Sequence, residues 1–324
     1  MIRVRASSRL HFGLLKVPSA SDALPNERFF GGAGLMIEDP GIDLTVAPAE
    51  EWSAVGQGAE RALAFARQVA HALPGATPQP LRILLRHCAP EHQGLGTGTQ
   101  LGLAVARAVT AFHEANLSAV ELAHLVGRGK RSAVGIHGFA AGGFLVEAGK
   151  RATEGIAPLA LRLAFPEAWR IVLVLPPLTA GLHGAAERAA FDEIHCARWD
   201  DSLTDRLCRL LVLSLIPALK EGDCEEFGEA LHEFNARAGE PFAALQGGTY
   251  SHSLVAELIA SLRREGVHGV GQSSWGPAVF AVLPDADDAD RVAGKLRKEF
   301  ALPSNRVVTT KACNHGASSG SGFQ

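Results

Sequence analysis

Pro90-Glu91-His92-Gln93-Gly94-Leu95-Gly96-Thr97-Gly98-Thr99-Gln100 decides the reading of this chain. A strand-like segment, Leu81-Arg82-Ile83-Leu84-Leu85-Arg86, precedes it, and Leu101, Val105, Ala108, Val109 and Phe112 recur at helical spacing after it. Strand, glycine-rich turn and helix in that order bring backbone N–H groups toward one point. The glycines permit unusual backbone angles and close approach, and the first helical turn leaves its N–H groups unpaired. Thr97 and Thr99 add hydroxyls where capping residues are favoured. The same residues would also make a capped helix behind a flexible turn; the strand before and the helix after favour a phosphate cradle.

Outward from that run, the chain alternates strand-like and helix-like pieces. Ile2 to Ala6 and Leu35-Met36-Ile37 read as extended, 59–72 and 118–127 as helical, and Phe144-Leu145-Val146 as a buried strand. Residues 150–158 turn polar and irregular, as a linker would. Ile171-Val172-Leu173-Val174-Leu175 is an apolar strand stopped by Pro176-Pro177. Leu207, Leu210, Leu211 and Leu215 share a helical face that Pro217 must end or kink, and Leu254, Leu258 and Leu262 share another. A strand at 279–283, a helix at 291–300 and a Gly/Ser-rich, frayed tail complete the pattern. The expected organisation is α+β: an N-terminal domain over 1–157, a C-terminal domain over 158–312 and a flexible tail over 313–324.

A chain of 324 residues is long for one core and comfortable for two. A formal net charge of −3 argues against a general nucleic-acid or anionic-membrane surface. Cys88, Cys196, Cys208, Cys224 and Cys313 are odd in number and lack CxxC spacing, so they read as reduced thiols. No apolar run approaches about 20 residues, and a cytoplasmic protein is expected. Asp192-Glu193-Ile194-His195-Cys196 holds metal-binding residue types without trustworthy ligand spacing and reads as a solvated face.

The pattern P-x-x-x-G-L-G-T-G-T-Q resembles the second motif of the GHMP superfamily, best known as small-molecule kinases. Gly98, Thr99 and Gln100 stand where those kinases usually carry serines and alanines. This variant resembles a non-kinase branch, the β-ribofuranosylaminobenzene 5′-phosphate synthases of tetrahydromethanopterin biosynthesis. Ser7-Ser8-Arg9-Leu10-His11-Phe12-Gly13, Arg28-Phe29-Phe30-Gly31-Gly32-Ala33-Gly34 and Gly129-Lys130-Arg131-Ser132-Ala133-Val134-Gly135-Ile136-His137 fit that branch in order. Gly269-Val270-Gly271-Gln272-Ser273-Ser274-Trp275-Gly276-Pro277 is similar to the superfamily's C-terminal glycine loop. The resemblance implies a ribosomal-protein-S5-like N-terminal domain, a ferredoxin-like C-terminal domain and a site between them. It also implies a glycosyltransferase that joins phosphoribosyl pyrophosphate to 4-aminobenzoate or 4-hydroxybenzoate, releasing carbon dioxide and pyrophosphate. Magnesium would arrive with the pyrophosphate and need no protein cage; a homodimer is left open. An ATP-dependent small-molecule kinase is the alternative.

A helix N-terminus contributes only about 0.3–2 kcal/mol toward holding an anion, so cations should converge on the glycine loop. Arg9 and Arg28 lie in glycine-rich surroundings, and Lys130, Arg131 and Ser132 form a second group. His11, two residues after Arg9, would share its face on a strand. His137 stands near the place where GHMP kinases commonly carry an acidic base, which weakens a kinase mechanism that takes a proton from an alcohol. The catalytic candidates are therefore Arg9, His11, Arg28 and His137. Binding is expected from Ser7, from Gly94, Leu95, Gly96, Thr97, Gly98, Thr99 and Gln100, and from Lys130, Arg131 and Ser132. Gln272, Ser273 and Ser274 would join them from the C-terminal loop, with Trp275 beside an aromatic acceptor.

Overall fold

The computed structural model describes residues 1–18, 27–73, 78–178, 189–193 and 200–321. Two long antiparallel strands, β1 (Ile2–Leu14) and β2 (Gly32–Pro48), form the spine of the N-terminal sheet. One end of β2 pairs with β4 (Leu81–Cys88), which carries β3 (Ser53–Val55) at its outer edge. The other end pairs with β5 (Phe144–Glu147), which leads to β6 (Leu159–Leu163). Four helices cover this sheet: α1 (Ala59–Ala72), α2 (Thr97–Phe112), α3 (Ala119–Leu125) and α4 (Val134–Ala141). Their apolar faces, with Leu101, Val105 and Val109 fully buried, close over Val4, Leu44, Val46 and Ile83.

The second sheet holds β7 (Arg170–Val174), β8 (Gly269–Gln272), β9 (Val279–Leu283) and β10 (Val307–Thr310) in the order β10-β7-β9-β8, all antiparallel. Taken in chain order this is 4-1-3-2, the ferredoxin-like arrangement. Alternation along β7 sends Val172 and Val174 to one core and Ile171 and Leu173 to another. The first core lies under the helices Ser253–Arg264 and Ala286–Glu299. The second joins the domains: Phe12 of β1 meets Phe280 of β9 at 5.1 Å, and Phe144 meets Phe227 edge-on at 6.2 Å. Each buried phenylalanine of this seam contributes about 1.5–3 kcal/mol, so the cleft between domains has a fixed floor.

Two expectations change. The sequence segment 150–158 is the excursion of the β5–β6 hairpin, so strand 159–163 belongs to the N-terminal sheet and not to the C-terminal domain. Residues 313–321 are no frayed tail: Cys313 N–H donates to the Met36 carbonyl, and β11 (Ser318–Ser321) pairs with β1. Small Gly and Ser side chains suit an edge strand as well as a loop, which is why composition misleads there. Pro217 acts as expected: the α-helix over Asp201–Leu210 gives way to a π-helical turn over Leu211–Leu215, and a new helix, Ile216–Glu221, starts with Pro217 in its first turn.

Candidate active site

The glycine run lies where the two domains meet. Gly94 and Gly96 adopt left-handed backbone angles, φ +84° and +69°. A side chain at Gly94 would strike the Ser273 carbonyl at 2.2 Å, so only glycine lets the two loops touch. Ser273 fastens them: its Oγ donates to the Gly94 carbonyl at 2.7 Å and accepts the His11 N–H at 3.0 Å. Asn235, on the helix Cys224–Gly239, completes the seam. It donates to the Phe12 and Gln272 carbonyls and accepts the Gln272 N–H.

Helix α2 starts from Gly96 with no side-chain cap. The Thr99 and Gln100 amides return to the Gly96 carbonyl, leaving those of Thr97 and Gly98 at the wall of a cavity of about 630 Å³. Arg9, Arg61, Arg128, Lys130 and Arg131 also line it, and among the described residues no carboxylate does. Uncapped amides and five formal cations around one cleft suit a ligand with several negative charges. Phe191, Phe242 and Trp275 line the same cleft, edge to face at 4.8–6.0 Å. The Arg131 guanidinium lies 4.1 Å over the Phe191 ring. These rings and Arg131 suit a flat aromatic ligand bearing an anionic group.

Of the expected residues, the structure brings together Arg9, His11, Gly94, Leu95, Gly96, Thr97, Gly98, Thr99, Lys130, Arg131, Ser132, Gln272, Ser274 and also Trp275. The Thr97 hydroxyl is spent on the Pro90 carbonyl at 2.9 Å, closing the loop on itself. Ser273 works behind the wall. Four candidates are held elsewhere. Arg28 pairs with Glu154 at 3.0 Å and donates to the Gly149 carbonyl. His137 is bonded through Nε2 to the Ala157 carbonyl at 2.8 Å. Gln100 donates to the Gly135 carbonyl at 2.7 Å, and Ser7 is buried in β1. Ile194, His195 and Cys196 lie outside the described residues. Among those described, no group of three or more His, Cys, Asp or Glu is placed to hold a metal ion.

Sequence reasoning misses Arg61, Arg128 and Glu147. Arg61, on α1, pairs with Glu91 at 3.2 Å and lies 5.8 Å over the Phe65 ring; Arg128, after α3, lies 5.4 Å over the same ring. Arg128 sits between Gly127 and Gly129, directly before the Lys130-Arg131 pair, a local signal that could have found it; Arg61 lies in the first turn of α1, and only the tertiary fold brings it to the cleft. Glu147 closes the apolar strand β5, a place where a charge usually marks emergence into solvent, yet it is 0% exposed. Burial pushes its carboxyl up to about 7, against hydrogen bonds from Ser132 and the Ala133 amide and the positive charges of Arg9 and Lys150. Burial, and then Arg9, hold the His11 imidazole well below its ordinary value, so it is neutral near pH 7.

The matching family descriptions are the GHMP kinases N terminal domain over residues 60–143 and the GHMP kinases C terminal region over 215–302. The beta-ribofuranosylphenol 5′-phosphate synthase of Methanothermobacter thermautotrophicus is 30% identical, over 97% of each chain. The chain belongs to this synthase family, within the GHMP superfamily. The family's protein from Archaeoglobus fulgidus is likewise 30% identical, over 98% of each chain. Among solved structures, homoserine kinase from Cytophaga hutchinsonii superposes with a TM-score of 0.69 at 14% identity, over 98% of this chain and 96% of that one. Mevalonate diphosphate decarboxylase from Staphylococcus aureus gives 0.64 at 15%, over 98% of each. These distant structures share the two-domain fold, and the family members share nearly the whole chain.

Proposed function

We propose that this enzyme condenses phosphoribosyl pyrophosphate with 4-hydroxybenzoate, releasing carbon dioxide and pyrophosphate, to form β-ribofuranosylphenol 5′-phosphate in tetrahydromethanopterin biosynthesis. The observation that carries the reading is the cleft itself, which gathers five cations and uncapped helix amides together with three aromatic rings, one of them under Arg131. The relatives' names specify a phenol product, which favours 4-hydroxybenzoate over 4-aminobenzoate as the acceptor.

Departure of pyrophosphate leaves an oxocarbenium-like ribosyl group, so the enzyme's work is to stabilise leaving-group charge and to place the acceptor. Arg9, the Thr97 and Gly98 amides, Arg61 and Arg128 surround the region suited to the first task. Arg131 would hold the benzoate against Phe242 and Trp275 for the second. The ring carbon bearing the carboxylate bonds to C1 of the ribose, and loss of carbon dioxide restores aromaticity. The cleft's hydroxyls and amides supply no set of hard oxygen ligands, so magnesium would be carried by the pyrophosphate oxygens and water.

A GHMP-type kinase has less support: the full-length relatives are named as synthases, and the described cleft wall has no carboxylate to take an alcohol's proton. The test is isolation of the product from phosphoribosyl pyrophosphate, 4-hydroxybenzoate and magnesium. A carbon–carbon bond between ring and ribose, read by carbon NMR with labelled substrates, supports the proposal. An O-linked riboside, or phosphoryl transfer from ATP to an alcohol instead, overturns it.

A further inference from the structure

Glu147 is deeply buried and does two different things with its two oxygens. Oε2 accepts the Ala133 N–H at the start of α4, a structural task. Oε1, equally buried, accepts no hydrogen bond and lies 4.0 Å from His11 Nε2. Ser132 Oγ stands beside both groups, 3.2 Å from the same His11 nitrogen, and also accepts the Val134 N–H. With Ser132 donating to the carboxylate, its oxygen is left to accept from His11 Nε2–H, which fixes the tautomer and leaves Nδ1 as the basic nitrogen. His11 and Ser132 line the cavity; Glu147 sits behind them. Burying a carboxylate this deeply is costly, and a fold that needed only the Ala133 bond would be served by an amide.

We propose that Glu147 is the positioning carboxylate of a His11–Ser132–Glu147 chain in which His11 takes the phenolic proton of the acceptor as the ring attacks ribose. This rests on the function proposed above. The oxygen para to the attacked carbon loses its proton to His11 and pushes an electron pair into the ring. The ring carbon bonds to C1 while the C1–O bond to pyrophosphate breaks. The bond to the carboxylate then breaks, carbon dioxide leaves, its electron pair returns through the ring to the oxygen, and His11 gives the proton back. Glu147 offsets the charge His11 carries in between. The other charged groups that bear on this carboxylate are Arg9 from β1 and Lys150 after β5.

Three measurements test the chain. The wild-type enzyme should release pyrophosphate with 4-hydroxybenzoate and not with 4-methoxybenzoate, which has no proton to give and whose binding is checked by competition against the phenol. Glu147→Gln should lower kcat about 100- to 1,000-fold, the range of general base catalysis, with either KM changed less than about threefold. A fluorine beside the phenol, which acidifies it, should recover at least about tenfold of the loss, as should Glu147→Asp; a merely structural role for Glu147 gives no such rescue. No pyrophosphate from wild type with 4-hydroxybenzoate overturns the function and the chain together. Turnover of 4-methoxybenzoate within tenfold of the phenol, or Glu147→Gln with unchanged kcat, overturns the chain alone.

Discussion

Ser273 Oγ donates to the Gly94 carbonyl at 2.7 Å across a sequence separation of 179 residues, and the same oxygen accepts the His11 N–H. One hydroxyl thus ties the glycine loop, the C-terminal loop and β1 into a single wall. Removing it in Ser273→Ala strands the buried His11 N–H and leaves the Gly94 carbonyl only the Arg9 guanidinium at 3.5 Å. The expected cost is on the order of 1–3 kcal/mol of stability, read as a lower midpoint in urea unfolding, together with weaker binding of phosphoribosyl pyrophosphate by calorimetry.

Gly96→Val and Arg9→Ala should each abolish pyrophosphate release while leaving a folded protein. At Gly96 a branched side chain is strained by φ +69° and would press on the Arg9 side chain, 3.3 Å from the position of a Cβ. At position 9 the change removes a cation from the cleft and no apolar core. Circular dichroism and a pyrophosphate assay check the pair; normal turnover by both variants would put the site elsewhere.

Much of this wall was legible in sequence, for physical reasons that differ by residue. Arg9 and His11 share a strand face two residues apart, and Gly94 to Thr99 announce a turn before a helix, so local pattern suffices. Arg28 and His137 were drawn in by their place beside glycine motifs, but proximity in sequence says nothing of partners such as Glu154 and the Ala157 carbonyl. Arg61 lies on a helix with no glycine motif, and Glu147 ends an apolar strand; their roles depend on contacts 30 and 136 positions away, to Glu91 and His11. The fold itself, an alternation of long apolar periods, was more readable than its return: a short Gly/Ser strand at 318–321 carries no hydrophobic signal.

The aromatic rings of the cleft yield a separable effect. Trp275→Ala and Arg131→Gln should raise KM for 4-hydroxybenzoate about tenfold, roughly 1.4 kcal/mol of lost binding, and leave KM for the donor within about twofold. Initial rates with one substrate varied at a time give both constants. A larger effect on the donor would place the acceptor elsewhere.

Glu147 also leaves a signature in stability against pH. Its carboxyl is raised from 4.5 unfolded to about 7 folded, so between these values the folded state holds the proton more tightly. The stability it confers is fully present below about 4.5 and is lost as pH rises through about 7, a change on the order of 3 kcal/mol. Glu147→Gln should therefore gain on wild type as pH rises from 4.5 to 7 and hold a constant margin above. His11, lowered from 6.5, acts in the opposite sense below that value, so the comparison is between variant and wild type at each pH and not along one curve. Chemical unfolding at five or six pH values measures it.

The central claim is the joining of phosphoribosyl pyrophosphate to a benzoate with loss of its carboxylate. It is tested most directly by counting carbon dioxide from carboxyl-labelled 4-hydroxybenzoate against pyrophosphate in one reaction. Equal release of the two, dependent on both substrates, is the expected result. Pyrophosphate without labelled carbon dioxide, or neither alongside ADP formed from ATP and an alcohol, would contradict it.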